Sequence, residues 1–348
     1  MYFMTICENV LIILLVSTSQ RLRSPMYFFL GHLALSDIVL VTSIVPKMLE
    51  VIIRGGSTIP YVGCLAQFYL YGVTVSAECF LLTAMSYDRY LAICRPLHYI
   101  SVMSVKLRYS LIISSWLLGF LLVLISFLLV CGLQFCGSNV INYFFCDYAP
   151  LLDLSCSDTT VLDIEMILLC FPIILLPFSF ITVSYVYIFI AIFEISSTSG
   201  RQKTFSTCSS HLVVVSIYYG SMFAIYMVPY RGHSMTVNKF ISLVYNVLTP
   251  LLNPVIYSLR NKEIQSSVII YLMPFLMLQI LRMAMFLPSG SMQKNCQKGG
   301  KIKHTIRSSD AREDETESEE EKQEECCGPW LQGMVTDTEV TSKSSRYD

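Results

Sequence analysis

Seven runs of predominantly apolar residues divide most of this chain: Tyr2–Ser19, Tyr27–Ile53, Leu65–Tyr90, Leu107–Gly132, Val161–Ile195, Phe205–Pro229 and Phe240–Leu259. Each comes close to or exceeds the roughly 20 residues an α-helix needs to cross a hydrocarbon core. A backbone inside a bilayer must satisfy its own hydrogen bonds. No short alternating segments are present to close a barrel, so helices are the spanning element that fits. Only 14% of the 348 residues are charged, against about 25% in soluble domains. The chain is therefore expected to be an all-α membrane protein, a seven-transmembrane helix bundle. Its net charge of −1 argues against nucleic acid as a partner.

The loops set the orientation. One set carries Arg21, Arg23, Arg95, Lys106, Arg108, Arg201, Lys203, Arg260 and Lys262; the opposite set carries Lys47, Arg54, Arg231 and Lys239, with Asp147, Asp153 and Asp158 nearby. The excess of basic residues belongs in the cytoplasm, so the amino terminus lies outside and the carboxyl terminus inside. Of thirteen cysteines, Cys64, Cys136, Cys146 and Cys156 fall on the outer side. Four cysteines in an oxidising compartment suggest two bridges and allow three connectivities.

Asp88 and Arg89 end the third apolar run in Met85–Cys94, MSYDRYLAIC. An acid and a base side by side at a membrane–water boundary suit a switch, because the paired charges are tolerated and a separated arginine can take a new partner. With its flanks the run reads MSYDRYLAICRPLHY. It stands in order with SPMYFFLGHLALSDI (Ser24–Ile38), Ser184–Tyr185, KTFSTCSSHL (Lys203–Leu212) and PLLNPVIYSLRNKE (Pro250–Glu263). In that order and spacing, residues 9 to 263 resemble the olfactory (odorant) receptors, a branch of the rhodopsin-like G-protein-coupled receptors, and within it the tetrapod-type group.

The resemblance implies bridges Cys64–Cys146 and Cys136–Cys156, carried on CGSNVINYFFCDYAPLLDLSC. It implies a switch and G-protein-coupling set of Asp88, Arg89, Tyr90, Tyr185, His211 and Tyr257, with His211 hydrogen-bonding toward Asp88 and Arg89 at rest. Pro254 removes a backbone donor and lets the seventh helix bend, turning Tyr257 toward the bundle. Glu78 and Arg89 are three helical turns apart on one face, about 16 Å along the axis, so that face joins the membrane interior to the cytoplasmic surface.

Asp37 and Glu78 each fall near the bilayer midplane, where a lone carboxylate costs roughly 2.5–3.5 kcal/mol on insertion scales and should face the bundle interior. Two acids at one depth can share a proton or a cation. The resemblance favours a sodium ion, with Asn253 close by, and implies no other cofactor; two neutral, hydrogen-bonded packing residues are the alternative.

A ligand site follows from helix faces. Phe68, Tyr71, Gly72 and Val75 recur at i, i+3, i+4, i+7, as do Tyr219, Met222, Phe223 and Tyr226 on the sixth run. Cys170 and Ile173 of the fifth run and Asn246 of the seventh are the expected remaining walls. Such a lining suits a small volatile organic molecule held by burial and one or two hydrogen bonds. Helix packing accounts equally well for any single position; the set is the stronger expectation.

The chain is thus expected to bind a small, mostly apolar ligand and to activate a stimulatory, olfactory-type heterotrimeric G protein. It would sit in lipid in the plasma membrane of olfactory sensory neuron cilia and do no chemistry of its own. A transporter would show an internal repeat, and none is visible; no nucleophile–base set suggests an enzyme. The resemblance also implies a longer glycosylated outer segment than Met1–Ser19 offers, which reads as truncation and leaves a defective, non-signalling receptor product as an alternative. The expected organisation is a receptor domain over 1–263, an apolar interfacial helix over 264–290, and a disordered tail over 291–348 that is basic and then acidic.

Overall fold

The computed structural model describes residues 1–136, 139–227, 235–259 and 263–268. It is helical throughout, and the extended pairing among the described residues is a single antiparallel bridge between Phe135 and Ser155. Among the described residues the named helices are α1 Tyr2–Thr18, α2 Pro25–Arg54, α3 Tyr61–Cys94, α4 Pro96–Val102, α5 Val105–Cys131, α6 Tyr148–Asp153, α7 Thr160–Cys170, α8 Leu176–Glu194, α9 Thr198–Met222, α10 Met235–Leu243 and α11 Thr249–Leu259. Wide π-turns continue α7 into α8 (Phe171–Leu175) and α10 into α11 (Val244–Leu248), and extend α9 (Phe223–Met227). Among the described residues, six helices are long and apolar enough to cross a membrane, and the shorter apolar α1 makes the seventh. The protein is a seven-helix membrane bundle. Of the interfacial helix expected over 264–290, only residues 264–268 are among the described residues, and the tail over 291–348 lies outside them.

Helix ends explain where the apolar runs under-read the structure. Prolines bracket α3: Pro60 precedes its first residue and Pro96 follows Arg95. The helix therefore extends past Leu65 and Tyr90 at both ends, because polar terminal turns still complete the backbone ladder. The sixth span starts well before Phe205, where the Ser197 hydroxyl accepts the Gly200 amide at 3.3 Å and caps α9.

α3 is the axis of the bundle, packing against α2, α5 and α8. Its apolar stretch is 72% buried, whereas that of α5 is 28% and that of the fifth span 22% buried. The exposed Leu117, Leu118, Phe120 and Leu121 on α5, and Ile164, Ile167 and Leu168 on α7, make a surface that only lipid can solvate. Gly119 lets α5 approach α3. A Cβ there would stand 3.0 Å from the Val73 carbonyl oxygen and 3.3 Å from the Ala77 nitrogen, both immovable backbone atoms, so the small residue sets the interhelical distance.

The segment between α5 and α7 folds back over the outer end of α3. Disulfides join Cys64 to Cys146 and Cys136 to Cys156, the pairing the resemblance implied. Gln67 fastens the same place, accepting the Cys146 amide at 3.0 Å and donating to the Ser43 carbonyl at 2.7 Å. On the inner side, residues 263–268 are helical, and Glu263 accepts the Tyr27 hydroxyl at 2.5 Å.

Candidate functional site

The outer half of the bundle holds a cavity of about 90 Å³. α3 supplies Phe68, Tyr71, Gly72 and Val75; the fifth span supplies Met166, Leu169, Cys170 and Ile173; Met222 enters from α9. Seven of the residues expected from helix faces therefore meet here. The fifth-span wall follows from local sequence: Pro172 cannot donate to the helical ladder, and the Leu176 amide bonds back to the Phe171 carbonyl across the π-turn, which displaces Ile173 and its neighbours relative to a regular helix.

Other expected walls lie elsewhere. Tyr219 is buried beneath the cavity, where its hydroxyl donates to the Cys79 carbonyl at 3.3 Å, and its ring packs on Phe178 at 5.3 Å. Phe223 packs on the other flank of Phe178 at 5.1 Å. Asn246 is buried and donates to the Ser242 hydroxyl at 3.1 Å. These side chains are drawn off the cavity by hydrogen-bonding and ring partners that a periodic pattern does not reveal. The side chain of Tyr226 lies outside the described residues.

Val123 and Ser126 of α5, together with Asp147 and Tyr148 of the covering segment, line the cavity without having been expected. Gly72 is needed opposite Val123, because a Cβ would sit 2.7 Å from a Val123 methyl. The signal for Met166 and Leu169 was available, since they extend Cys170 and Ile173 as an i, i+3, i+4, i+7 series. Asp147 was reachable only through the Cys64–Cys146 bridge, which sets the residue after Cys146 above Phe68. Burial pushes the Asp147 carboxyl up to about 6, with the Tyr148 amide partly offsetting that rise. Tyr148 ties this roof to α7: its hydroxyl is 2.6 Å from the Leu162 carbonyl and 3.1 Å from Glu165 Oε2. Ser126 donates to Glu165 Oε1 at 2.5 Å. At the start of α7, the Thr160 hydroxyl and amide hold the exposed Asp158 carboxyl below the usual range.

Deeper in the bundle, the Asn253 amide nitrogen lies 3.1 Å from each oxygen of Asp37. Glu78 is near enough for its charge to act on Asp37. Glu78 Oε1 and Asn253 Oδ1 are buried without a hydrogen-bond partner. Two carboxylates and the orphaned Asn253 oxygen are the kind of oxygen donors that a hard monovalent cation takes.

At the inner end, Arg89 forks onto Asp88 through Nε at 3.0 Å and through a terminal nitrogen. The Tyr99 hydroxyl of α4 donates to the other Asp88 oxygen at 2.8 Å. Burial, and then the Asp88 carboxylate, raise the Tyr99 phenol, so it remains a donor. His211 departs from its expected contact. Its Nδ1 is 2.6 Å from the Tyr185 hydroxyl, and the two rings stack at 20°; the Asp88 oxygens are already taken by Arg89 and Tyr99. Tyr185, His211 and Tyr257 nevertheless each lie within electrostatic range of Arg89. Tyr90 turns away from this group to face Tyr187 at 6.1 Å, in a groove between the inner ends of α3 and α8.

Comparison with known proteins agrees with this layout. A family model described as "Olfactory receptor" matches residues 1–274. Olfactory receptor 1468 of Rattus norvegicus is 43% identical over 269 residues, covering 77% of this chain and 86% of that protein. Olfactory receptor 5G29 of Mus musculus is 45% identical over 266 residues, 76% of this chain and 85% of that one. Olfactory receptor 11A1 of Homo sapiens is 43% identical over 266 residues, 76% and 84%.

Proposed function

The chain belongs to the olfactory receptor family, odorant-sensing G-protein-coupled receptors and not enzymes, and from that premise we propose that the outer cavity is the odorant site of a receptor coupled to a stimulatory, olfactory-type G protein. The observation that carries this reading is the mostly apolar cavity between α3, the fifth span and α9, under a disulfide-held roof. A ligand bound there bears on α3 and α9 together. The inner ends of those helices hold Arg89 and His211, so a ligand that prefers one arrangement of the two helices shifts the population at the cytoplasmic mouth. Ligand and G protein must then each tighten binding of the other by the same factor. The groove beside Tyr90 is the contact for the G protein, and opening it requires Arg89 to leave Asp88.

Asp37, Glu78 and Asn253 would hold a sodium ion in the resting receptor, where its single charge would offset that of one of the two buried carboxylates. Exchange of sodium for choline should then lower the melting temperature, and Asp37→Asn should remove the difference. Lipid solvates the exposed faces of α5 and α7, and the site of action is the plasma membrane of olfactory sensory neuron cilia.

The test is a cyclic-AMP assay in cells carrying the olfactory-type G protein, challenged with mixtures of small volatile compounds. Cys170→Phe, which puts a ring into the cavity, and Arg89→Ala, which removes the exchanging cation, should each abolish the response while surface delivery stays within about twofold. A response that persists in Cys170→Phe would overturn the site assignment.

A further inference from the structure

Asp147 is 6% exposed and lines the cavity. Its Oδ1 takes the Tyr148 amide at 2.8 Å, and the described residues give Oδ2 no hydrogen-bond donor. Nor do they supply a cation. The ion pairs among them are Lys47–Glu50, Arg54–Glu50 and Arg89–Asp88, and none of those residues lines the cavity. Lys239, which reaches the covering segment, is held by Asn142 at 2.6 Å and lies over the Phe144 ring. A second carboxylate, Glu165, sits one layer behind the wall through the Ser126 and Tyr148 hydroxyls. The cavity is thus apolar along its length and negative at its roof, with an acid that the described protein leaves uncompensated. A buried charge of that kind is tolerated when a partner of opposite sign completes it.

We propose that the cavity takes a small primary amine, its ammonium group seated on Asp147 Oδ2 and its hydrocarbon chain among Val75, Val123, Met166 and Ile173. This rests on the reading of the cavity as the odorant site. A carboxylic acid would meet charge of its own sign at the roof. An alcohol could donate one hydrogen bond without cancelling the charge. An ammonium does both, and its remaining N–H donors have the Ser126 and Tyr148 hydroxyl oxygens in the same wall. Size narrows the class further: about 90 Å³ is smaller than the roughly 150 Å³ cavity that holds benzene, so chains of about three to five carbons fit.

The experiment compares butylamine, butan-1-ol and butanoic acid on the full chain, by cyclic-AMP response in cells and by melting temperature of the purified receptor. Butylamine should act at a concentration at least tenfold below butan-1-ol, with butanoic acid weakest. Asp147→Asn keeps the acceptor that caps α6 and should erase the difference between amine and alcohol; Asp147→Ser, also a capping residue, serves if the asparagine variant fails to reach the surface. An amine preference that survives both substitutions, or a wild-type preference for the alcohol or the acid, overturns the amine assignment and leaves the odorant site standing. If none of the three compounds, nor the homologues from three to eight carbons, changes either readout, the odorant-site reading falls and the amine assignment with it.

Discussion

Two acids at opposite ends of this bundle are buried in different company. Asp88, at the inner mouth, is wholly buried and has both oxygens taken, by Arg89 on one and Tyr99 on the other. Asp147, at the outer roof, is nearly as buried, has one oxygen on its neighbour's amide, and has no cation among the described residues. Burying a carboxylate is costly in either place. At the inner end the chain offsets that cost itself, which makes the pair an internal latch. At the outer end the cost stands until something enters, which makes the acid a receptor for a molecule from outside. The same residue type thus serves closure at one end and capture at the other.

The largest effect should come from detaching the roof that presents Asp147. Cys64→Ser and Cys146→Ser should each prevent delivery to the cell surface, and the double variant should be no worse than either alone, because residues acting as one bridge are non-additive. Additive losses, measured by surface labelling, would mean that the two thiols serve separately and that the roof is held by hydrogen bonds such as those of Gln67 and Tyr148.

A sharper contrast comes from removing each acid in turn. Asp88→Asn strands a mostly buried guanidinium, for which the cost is about 3 kcal/mol, the low end of the range for a broken buried pair. Asp147→Asn removes a charge with no cation partner among the described residues and should leave the melting temperature equal or higher at neutral pH. Melting curves of the two variants that fall together would break the comparison.

The smallest effect is the pH dependence of the roof. Because the Asp147 carboxyl is raised from the ordinary 3.8 to about 6 in the folded state, the native receptor binds the proton more tightly than the unfolded chain does. Its contribution is therefore fully present below about pH 4 and is lost as pH rises to about 6, and above that the penalty is constant. The wild type should lose stability relative to Asp147→Asn across that window, by at most about 3 kcal/mol. A flat difference between pH 4 and 6.5 would show that the roof is not where that proton binds.

Much of this was legible in the residues. The seven spans and the charged pair Asp88–Arg89 follow from hydropathy and from one acid beside one base at a boundary, whereas the axial place of the third span emerged only from the packing. The α3 wall of the cavity was readable too, since helical periodicity puts Phe68, Tyr71, Gly72 and Val75 on one face. Periodicity failed on the sixth span, where Tyr219 and Phe223 share the predicted face but are claimed by Cys79 and Phe178. It also said nothing about α5, which is apolar all round. Which of its residues meet α3 depends on the close approach at Gly119, and a uniform apolar stretch does not encode a direction.

By itself, then, the sequence determined the number of spans, though not their ends at Pro60 and Ser197, and the chemistry of the charged pair at the inner mouth. These are local matters, settled by solvent, backbone hydrogen bonding and neighbours within a few turns. Only the tertiary structure decided that His211 pairs with Tyr185, that Val123 faces Gly72, and that Asp147 and Glu165 meet at the cavity roof through Tyr148. Those contacts join residues far apart in the chain, and their partners are chosen by packing and by the disulfide that folds the outer segment over α3, neither of which leaves a periodic mark.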